Sequence, residues 1–250
     1  MNREQYILSK SPVSKLLLRL FSRTQKLIIF DIGGCEGEDS IRYSRTFPNS
    51  QIFVFEPLPS NQKLILENLK KYHSKNITLV PEALSDSRGV EEFYVSSGSP
   101  EGKKNDVSWD YGNKSSSLLP PDKHIEIHPW VKFEKTISVP TNTLNYFLFN
   151  KSILEIDFIH MDVQGVELKV LAGAESHLQN IKAIWLEVSN ITLYKNQPRR
   201  IEVENFMKSN GFCLLKNAIT GDSGDQMYIN RKYFKLKSLL QDLKKFFQLI

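Results

Sequence analysis

The stretch Leu27-Ile28-Ile29-Phe30-Asp31-Ile32-Gly33-Gly34-Cys35-Glu36-Gly37 decides the fold of this 250-residue chain. Its first four residues form the continuous apolar run that is typical of a buried parallel strand. The run ends in an acid and a glycine-rich turn, and Glu38-Asp39-Ser40-Ile41 then predicts the start of a helix. Glycines at such a turn let the backbone approach a ligand closely. The stretch therefore predicts a ligand site at the carboxyl end of a central strand.

The spacing and the charge of this turn indicate which ligand it suits. The pattern is Asp-x-Gly-x-x-x-Gly, whereas dinucleotide sites prefer Gly-x-Gly-x-x-Gly. A pyrophosphate binds best at a helix N-terminus with free N–H groups, yet this turn is crowded by the acids Asp31, Glu36, Glu38 and Asp39. The charge favours a cationic or zwitterionic ligand such as S-adenosyl-L-methionine (SAM). An NAD-dependent Rossmann oxidoreductase shares the strand–glycine–helix logic and stays as the alternative enzyme class.

Composition adds a few limits. Lys and Arg (33) exceed Asp and Glu (28), so the net charge is +5 and the pI is near 9.0. This charge is a weak indication of anionic partners, and the absence of a dense Lys/Arg–aromatic array disfavours nucleic acid. The cysteines, Cys35 and Cys213, lack metal-binding spacing. Together with the lack of an export signal or a long apolar run, this predicts a cytoplasmic protein.

Strands and helices alternate along most of the chain. The pattern predicts strands at 51–55, 77–80, 156–161 and 181–188, and helices at 58–72, 167–178 and 199–209. A strand opening at 211–212 and another at 226–230 predict a closing antiparallel hairpin. This rhythm is typical of an α/β protein with a parallel sheet and right-handed crossovers.

Changes in composition divide the chain into three parts. Residues 1–24 predict a basic helical extension, 25–233 the main α/β domain, and 234–250 an amphipathic helix. Within the domain, the Ser- and Gly-rich segment 96–135 is longer than compact domains usually tolerate, which favours a substrate loop or lid over a variable surface insertion. The amphipathic ends predict docking on the domain, a homo-oligomer or peripheral membrane contact, and these alternatives stay open.

A short polar pattern lies inside this segment. His124, Glu126 and His128 alternate with Ile125 and Ile127, which predicts a strand with the three polar side chains on one face. Such a trio could hold zinc together with water. A solvated polar face is the favoured interpretation, so no metal site is predicted.

Further landmarks resemble the FkbM family of SAM-dependent methyltransferases. Asp31-Ile-Gly33-x-x-x-Gly37 is followed, in the family's order, by Phe55-Glu56-Pro57, Ala83-Leu84-Ser85-Asp86, Ser115-Ser116-Ser117-Leu118, Met161-Asp162-Val163-Gln164-Gly165-Val166-Glu167-Leu168, Leu171-Ala172-Gly173-Ala174, Trp185-Leu186-Glu187, Leu193-Tyr194 and Gly211-Phe212. The resemblance spans residues 27–233. It implies a Rossmann-like class I methyltransferase fold, in which a seven-stranded, mostly parallel sheet ends in a C-terminal antiparallel hairpin with helices on both faces. The family more often carries Lys at the position of His160.

The resemblance also implies SAM as cofactor and a set of residues around it. The cofactor-binding candidates are Asp31, Gly33, Gly34, Gly37, Glu56, Pro57, Ala83, Leu84 and Asp162. Asp31 and the glycines would hold the methionine end and the adenosine, while Ala83 and Leu84 would line the adenine. Glu56 would accept hydrogen bonds from both ribose hydroxyls, because a carboxylate has two acceptor oxygens. The substrate-binding candidates are Ser116, Ser117, Gln164 and Glu167.

The catalytic candidates are chosen by their positions at the predicted strand ends within the family-like segments. Asp162 is the preferred candidate to orient SAM or to deprotonate an acceptor, and His160 and Glu187 are alternative bases. The predicted reaction is methyl transfer to an oxygen, on a hydroxyl of a sugar, glycan or secondary metabolite. The acceptor is therefore a small molecule or a glycan. A non-enzymatic alternative is a catalytically inactive SAM-fold subunit that binds a partner.

Overall fold

The structure is a computed structural model, and it describes residues 3–101 and 110–234. Its strands are, in chain order, β1 (Ile28–Ile32), β2 (Gln51–Phe55), β3 (Ile77–Val80), β4 (Ala83–Leu84), β5 (Gly89–Ser97), β6 (Lys132–Asn142), β7 (Ile156–Met161), β8 (Ile181–Ser189), β9 (Phe212–Thr220) and β10 (Ser223–Asn230). Its helices are α1 (Arg3–Leu8), α2 (Ser14–Leu20), α3 (Glu38–Thr46), α4 (Pro59–Lys71), α5 (His124–Ile127), α6 (Leu144–Lys151), α7 (Glu167–Ala172) and α8 (Arg200–Ser209).

A seven-stranded sheet forms the centre of the protein. Its order is β3-β2-β1-β7-β8-β10-β9, and all pairings are parallel except those of β10, which is antiparallel to β8 and to β9. The strand β1 therefore lies near the middle, beside the point where the chain order reverses. In open α/β sheets this switch point is where ligands bind. The predicted fold class is confirmed.

Helices cover both faces of this sheet. Because side chains alternate along a strand, Ile29 of β1 packs toward α2, α3 and α4, while its neighbour Phe30 packs toward α6 and α7 on the other face. Phe158 and Ile159 of β7 divide in the same way. None of the helices within the described ranges is long and apolar enough to cross a membrane.

Two predicted elements differ from the structure. The helix predicted at 167–178 ends at Ala172 and is followed by a 3-10 turn, Glu175–Asn180. Gly173 lies between them, against the carbonyl of Ser85, where a Cβ atom would approach to 2.3 Å. The segment predicted as a strand with a polar face is the helix α5, so the prediction for His124, Glu126 and His128 was wrong. Helical spacing brings His124 over His128, with ring centroids 5.1 Å apart.

A second sheet was not predicted. It has the order β4-β6-β5, and β5 and β6 are long antiparallel partners that flank the segment 96–135. Between them the chain forms a 3-10 turn, Tyr111–Ser115. A hydrogen-bonded bridge between Tyr94 and Ser117 ties the end of this turn to β5. The segment 110–117 is therefore anchored on a sheet, and below it is called the insertion turn.

The two ends of the chain differ in how much of each the structure describes. Ile7 of α1, Leu17 of α2 and Val13, which precedes α2, are buried against the sheet face that carries Ile29. Arg42 of α3 lies over the ring of Tyr6 at 3.9 Å from its centroid. The amphipathic helix predicted at 234–250 lies, from residue 235 onward, outside the described residues. The predicted domain boundaries stay a prediction.

Candidate active site

The glycine turn after β1 joins three strand ends. The N–H groups of Gly33 and Gly34 both donate to the carbonyl of Phe55, at 3.0 and 3.1 Å. Gly33 has φ +82°, and a Cβ atom there would lie 1.9 Å from the carbonyl oxygen of Asp162. Only glycine combines that backbone conformation with so close an approach. The turn therefore brings the ends of β1, β2 and β7 together.

Asp31 lies within β1 and pairs with a histidine of β7. Its Oδ2 accepts a hydrogen bond from Ser40 Oγ at 2.6 Å, and its Oδ1 lies 3.5 Å from His160 Nδ1. Burial lowers the pKa of His160, but the nearby acids Asp31, Asp39 and Asp162 outweigh this effect and raise the pKa to about 9. At neutral pH His160 is therefore an imidazolium that balances the charge of Asp31. It holds no free lone pair for a proton and is a poor candidate base.

Glu56 follows β2 and supports the glycine turn. Its Oε2 accepts a hydrogen bond from the N–H of Cys35 at 2.9 Å, and its Oε1 accepts one from the N–H of Leu58, also at 2.9 Å. Burial raises its pKa to about 8. Each oxygen retains a second acceptor position, because a carboxylate oxygen carries two lone pairs.

Two adjoining pockets lie at these strand ends. The Glu56 pocket has an apolar wall formed by Ile32, Phe55, Leu84, Leu118, Val163 and Val166. The Asp31 pocket is polar and is lined by Tyr6, Gly34, Glu38, Asp39 and His160. Four residues line both pockets: Gly33, Cys35, Lys114 and Asp162. Asp162 therefore lies where the two pockets meet.

The insertion turn, which lies within the segment 96–135 predicted as a substrate loop, and the N-terminal helix α1 both reach this site, but the sequence analysis missed the residues that make the contacts. Asn113 Nδ2 donates to Glu36 Oε1 at 3.0 Å, and Lys114 Nζ lies 2.8 Å from Glu38 Oε1. The ammonium of Lys114 also lies 4.8 Å from the ring centroid of Tyr6. A cation from the insertion turn thus neutralises part of the acidic turn. No local pattern in the sequence marks these contacts.

Asp162 and Glu187 are joined by an amide. Gln164 Nε2 donates to Asp162 Oδ1 at 2.6 Å and to Glu187 Oε2 at 2.9 Å. Burial raises the pKa of both carboxyls, and the charge of Asp162 raises that of Glu187 further. We infer that Glu187 holds the proton of this pair and that Asp162 is ionised. Asp225, which faces Glu187 across the β8–β10 pairing, has its pKa raised to about 6 by burial.

The other predicted site residues fall into two groups. Those that line the Glu56 pocket are Pro57, Ala83, Leu84 and Ser116. The other three, Gly37, Ser117 and Glu167, shape or hydrogen-bond the backbone around the site. Gly37, at φ +79°, precedes α3. Ser117 Oγ donates to the carbonyl of Gln164 at 2.8 Å. Glu167 Oε1 accepts a hydrogen bond from the N–H of Gly165 at 3.2 Å. Their role in binding stays a prediction.

Residues 31–214 match the family described as the methyltransferase FkbM domain. The 2-O-methyltransferase NoeI of Sinorhizobium fredii (strain NBRC 101917 / NGR234) is 32% identical over 205 residues, which cover 82% of this chain and 80% of that protein. The chain belongs to the FkbM methyltransferase family. It is a SAM-dependent enzyme, and this membership sets aside the oxidoreductase alternative.

Solved structures are also similar to this FkbM methyltransferase. One is the precorrin-6y C5,15-methyltransferase from Geobacter metallireducens GS-15, with a TM-score of 0.43, 17% identity and coverage of 92% of this chain and 94% of that one. Another is M. capricolum TrmK in complex with S-adenosyl-homocysteine, with a TM-score of 0.47, 12% identity and coverage of 88% and 68%.

The residues of the two pockets fit SAM by their chemistry. The Glu56 pocket offers an apolar wall for a base and a carboxylate for a diol. The Asp31 pocket and Asp162 offer the negative charge that a sulfonium and an ammonium need. Within residues 3–101 and 110–234, no group of three His, Cys, Asp or Glu side chains is arranged to hold a metal ion. His124 is instead buried beside Phe133 and Tyr194.

The free energy of unfolding is expected to fall as the pH rises from about 6.5 to about 9 in the absence of SAM. Glu56, Glu167 and His160 have raised pKa values in the folded chain, of about 8, 7 and 9. The folded state therefore binds more protons than the unfolded state, whose carboxyls are already ionised above about pH 5. His124 has the opposite shift, to a pKa of about 4, but its effect is complete above about pH 6.5.

Thermal melts across this range would measure the effect. A decrease in Tm of roughly 5–10 °C is expected for a chain of this size. Glu56→Gln should show a weaker pH dependence than the unaltered protein, because one of the raised carboxyls is removed. A Tm that rises steadily toward pH 9 would contradict the assignment of these charge states.

Proposed function

We propose that this enzyme transfers the methyl group of SAM to a hydroxyl oxygen of a sugar, glycan or secondary metabolite in the cytoplasm. The oxygen acceptor is supported by the name of its relative, a 2-O-methyltransferase. The observation that carries the proposal is the position of Asp162 at the junction of the two pockets. Nucleic acid is not favoured as the acceptor, because the cleft formed by the two pockets is lined by several acids, and Lys114 is the one basic side chain among the described residues that line both pockets.

An alcohol acceptor requires a base, because an unactivated hydroxyl is a weak nucleophile. Asp162 lies at the pocket junction, and the amide of Gln164 sets its orientation and favours its ionised form. Asp162 accepts the proton of the acceptor hydroxyl as the oxygen attacks. Glu187, which holds the proton of the pair, keeps a second negative charge away from Asp162.

The remaining residues bind and orient. When bound, SAM supplies a methyl group on a cationic sulfur, which is open to attack by an oxygen lone pair. Glu56 would hold the ribose diol, and the apolar wall of its pocket would hold the base. Asp31 keeps the imidazolium of His160 in place near the junction. Holding both reactants in line in this way supplies much of the rate of a displacement.

A screen of acceptors tests the proposal. The purified full-length protein would be incubated with methyl-labelled SAM and a panel of neutral oligosaccharides, amino sugars, uronates, phenolic metabolites and tRNA. Label is expected on a hydroxyl oxygen of a carbohydrate or metabolite, located by mass spectrometry of the product. Label on a nitrogen or on RNA would contradict the proposal, and so would SAM binding without transfer to any member of a broad panel. The latter result would favour the inactive binding subunit.

A further inference from the structure

Tyr194 has no assigned role, yet its hydroxyl is connected through the side-chain amide of Gln164 to Asp162 and Glu187, which are called the acid pair below. The side chain is fully buried, and its ring centroid lies 5.3 Å from that of His124 and 6.2 Å from that of Phe133. Its N–H donates to Gln197 Oε1 at 3.2 Å. Ring packing and backbone contacts therefore fix where the hydroxyl lies.

The hydroxyl of Tyr194 faces two acceptors. It lies 2.7 Å from the carbonyl oxygen of Ser115 and 2.8 Å from Gln164 Oε1. A phenol has one proton, so the two acceptors share it. Ser115 is the last residue of the 3-10 turn that carries Asn113 and Lys114 into the cleft. The hydroxyl thus connects the insertion turn with Gln164.

Gln164 is held from several directions. Its backbone has φ +54°, a left-handed conformation that costs energy for a non-glycine residue. Its carbonyl accepts a hydrogen bond from Ser117 Oγ. Its amide NH2 donates one hydrogen to the carboxyl group of Asp162 and the other to that of Glu187, so Oε1 is the atom that must meet a donor. Tyr194 is that donor.

We propose that Tyr194 is a positioning residue, whose hydroxyl keeps the NH2 group of Gln164 turned toward Asp162 and Glu187 and links this orientation to the insertion turn. The inference rests on the proposed function, because it takes Asp162 as the base. Without the hydroxyl, the amide can rotate by half a turn. Its oxygen would then face two carboxyl groups, and Asp162 would lose a donor to its ionised form.

The charge state of Asp162 should report the loss of this hydroxyl. Hydrogen bonding from Gln164 lowers its pKa against the rise caused by burial. The other charged or titratable groups that act on the acid pair are His160, Lys114, Glu167 and Asp225. Tyr194→Phe leaves these four side chains in place, and of the four, Lys114 alone lies on a segment that the hydroxyl also contacts, through the carbonyl of Ser115. A variant without the hydroxyl should therefore need a higher pH to ionise Asp162.

Tyr194→Phe and Tyr228→Phe form a matched pair for the test. Tyr228 is 2% exposed, lies in the main core cluster, and also donates to a glutamine amide oxygen, Gln226 Oε1, at 2.6 Å. For Tyr194→Phe, the acidic limb of the pH–rate profile should move up by about one pH unit, so that kcat falls about tenfold at pH values on that limb. The KM for SAM should change less than about threefold. Tyr228→Phe should match the unaltered enzyme.

A binding experiment needs no acceptor and separates this inference from the proposed function. The affinities for SAM and for S-adenosyl-homocysteine would be measured by calorimetry from about pH 5.5 to 8.5. SAM carries a positive sulfur and S-adenosyl-homocysteine does not, so their affinity ratio reports nearby ionised carboxylates. In Tyr194→Phe, the pH at which this ratio falls should rise by about one unit. If the unaltered protein shows this ratio but methylates nothing, the proposed function fails and the positioning role stands.

A double-mutant cycle gives the second test. Gln164→Met removes the amide at nearly constant size. In a protein that already carries this substitution, Tyr194→Phe should cause no further change in kcat or in the position of the acidic limb of the pH–rate profile. Additive effects of the two substitutions would overturn the inference. The same holds if Tyr194→Phe has the pH profile and affinity ratio of Tyr228→Phe. If Tyr194→Phe does not fold, Gln164→Met alone must show the upward shift for the inference to stand.

Discussion

Replacing Asp162 with asparagine is expected to lower kcat about 10²–10⁴-fold, the usual contribution of a general base. Asparagine keeps the size of the side chain and can still meet the amide of Gln164, but it cannot accept the proton of the acceptor hydroxyl. The dissociation constant for SAM should rise less than about tenfold, since other residues hold most of the cofactor. Initial rates at saturating SAM and acceptor, together with calorimetry, would measure both quantities.

Asp157→Asn is the matched control for this experiment. Asp157 lies on the same strand, β7, but at its opposite end, where it accepts hydrogen bonds from the N–H of Ile28 and from Lys182. This variant is expected to be less stable but to keep the kcat of the folded protein. If Asp162→Asn retained full kcat, proximity alone would account for the rate, and Asp162 would not be the base.

Replacing Glu56 with alanine is expected to raise the dissociation constant for SAM at least about 100-fold. Hydrogen bonds to a charged group contribute about 1.5–3 kcal/mol each, and a ribose diol would make two of them above about pH 8, where Glu56 is ionised. The side chain of Glu56 also accepts hydrogen bonds from the N–H groups of Cys35 and Leu58, so its removal deletes the hydrogen bonds that hold the glycine turn. Both effects weaken binding, and S-adenosyl-homocysteine should be affected as strongly as SAM, because it carries the same ribose.

Glu67→Ala is the control for the loss of an acidic side chain outside the pocket. Glu67 is exposed on α4, the helix that follows Glu56 along the chain. Its removal should leave both affinities within about twofold. A folded Glu56→Ala protein that bound SAM nearly as well as the unaltered enzyme would show that the ribose is held elsewhere.

The main sheet was predictable because its signals are local. Short apolar runs, the turn at Gly33 and the late pair of strands each follow from a few neighbouring residues. The meeting of Asp162 and Glu187 was also predictable in outline. In the β7–β8 register Met161 lies beside Leu186, so the acids that follow these residues are adjacent. The carboxyl ends of parallel strands meet at one edge.

Local patterns failed where tertiary contacts outweigh them. The alternation at 124–128 is typical of a strand, but burial of His124 against Phe133 and Tyr194 accompanies a helical turn there. The second sheet was missed because β5 and β6 are only partly buried, so their apolar pattern is weak. The helix predicted at 167–178 does not continue through Glu175, whose φ of +49° is left-handed, and Gly173 just before it lies against the backbone of Ser85, where a side chain would not fit.

The amino-acid order alone thus specified the α/β sheet, its ligand-binding edge and the family. Folding decided which polar groups complete the cleft. Asn113 meets Glu36 across 77 residues, Lys114 meets Glu38 across 76, and Tyr194 meets Ser115 across 79. The charge of His160 and the proton of Glu187 also depend on such neighbours. Hydrogen bonds and ion pairs act over a few ångströms of space, and spacing along the chain carries no record of contacts between segments so far apart.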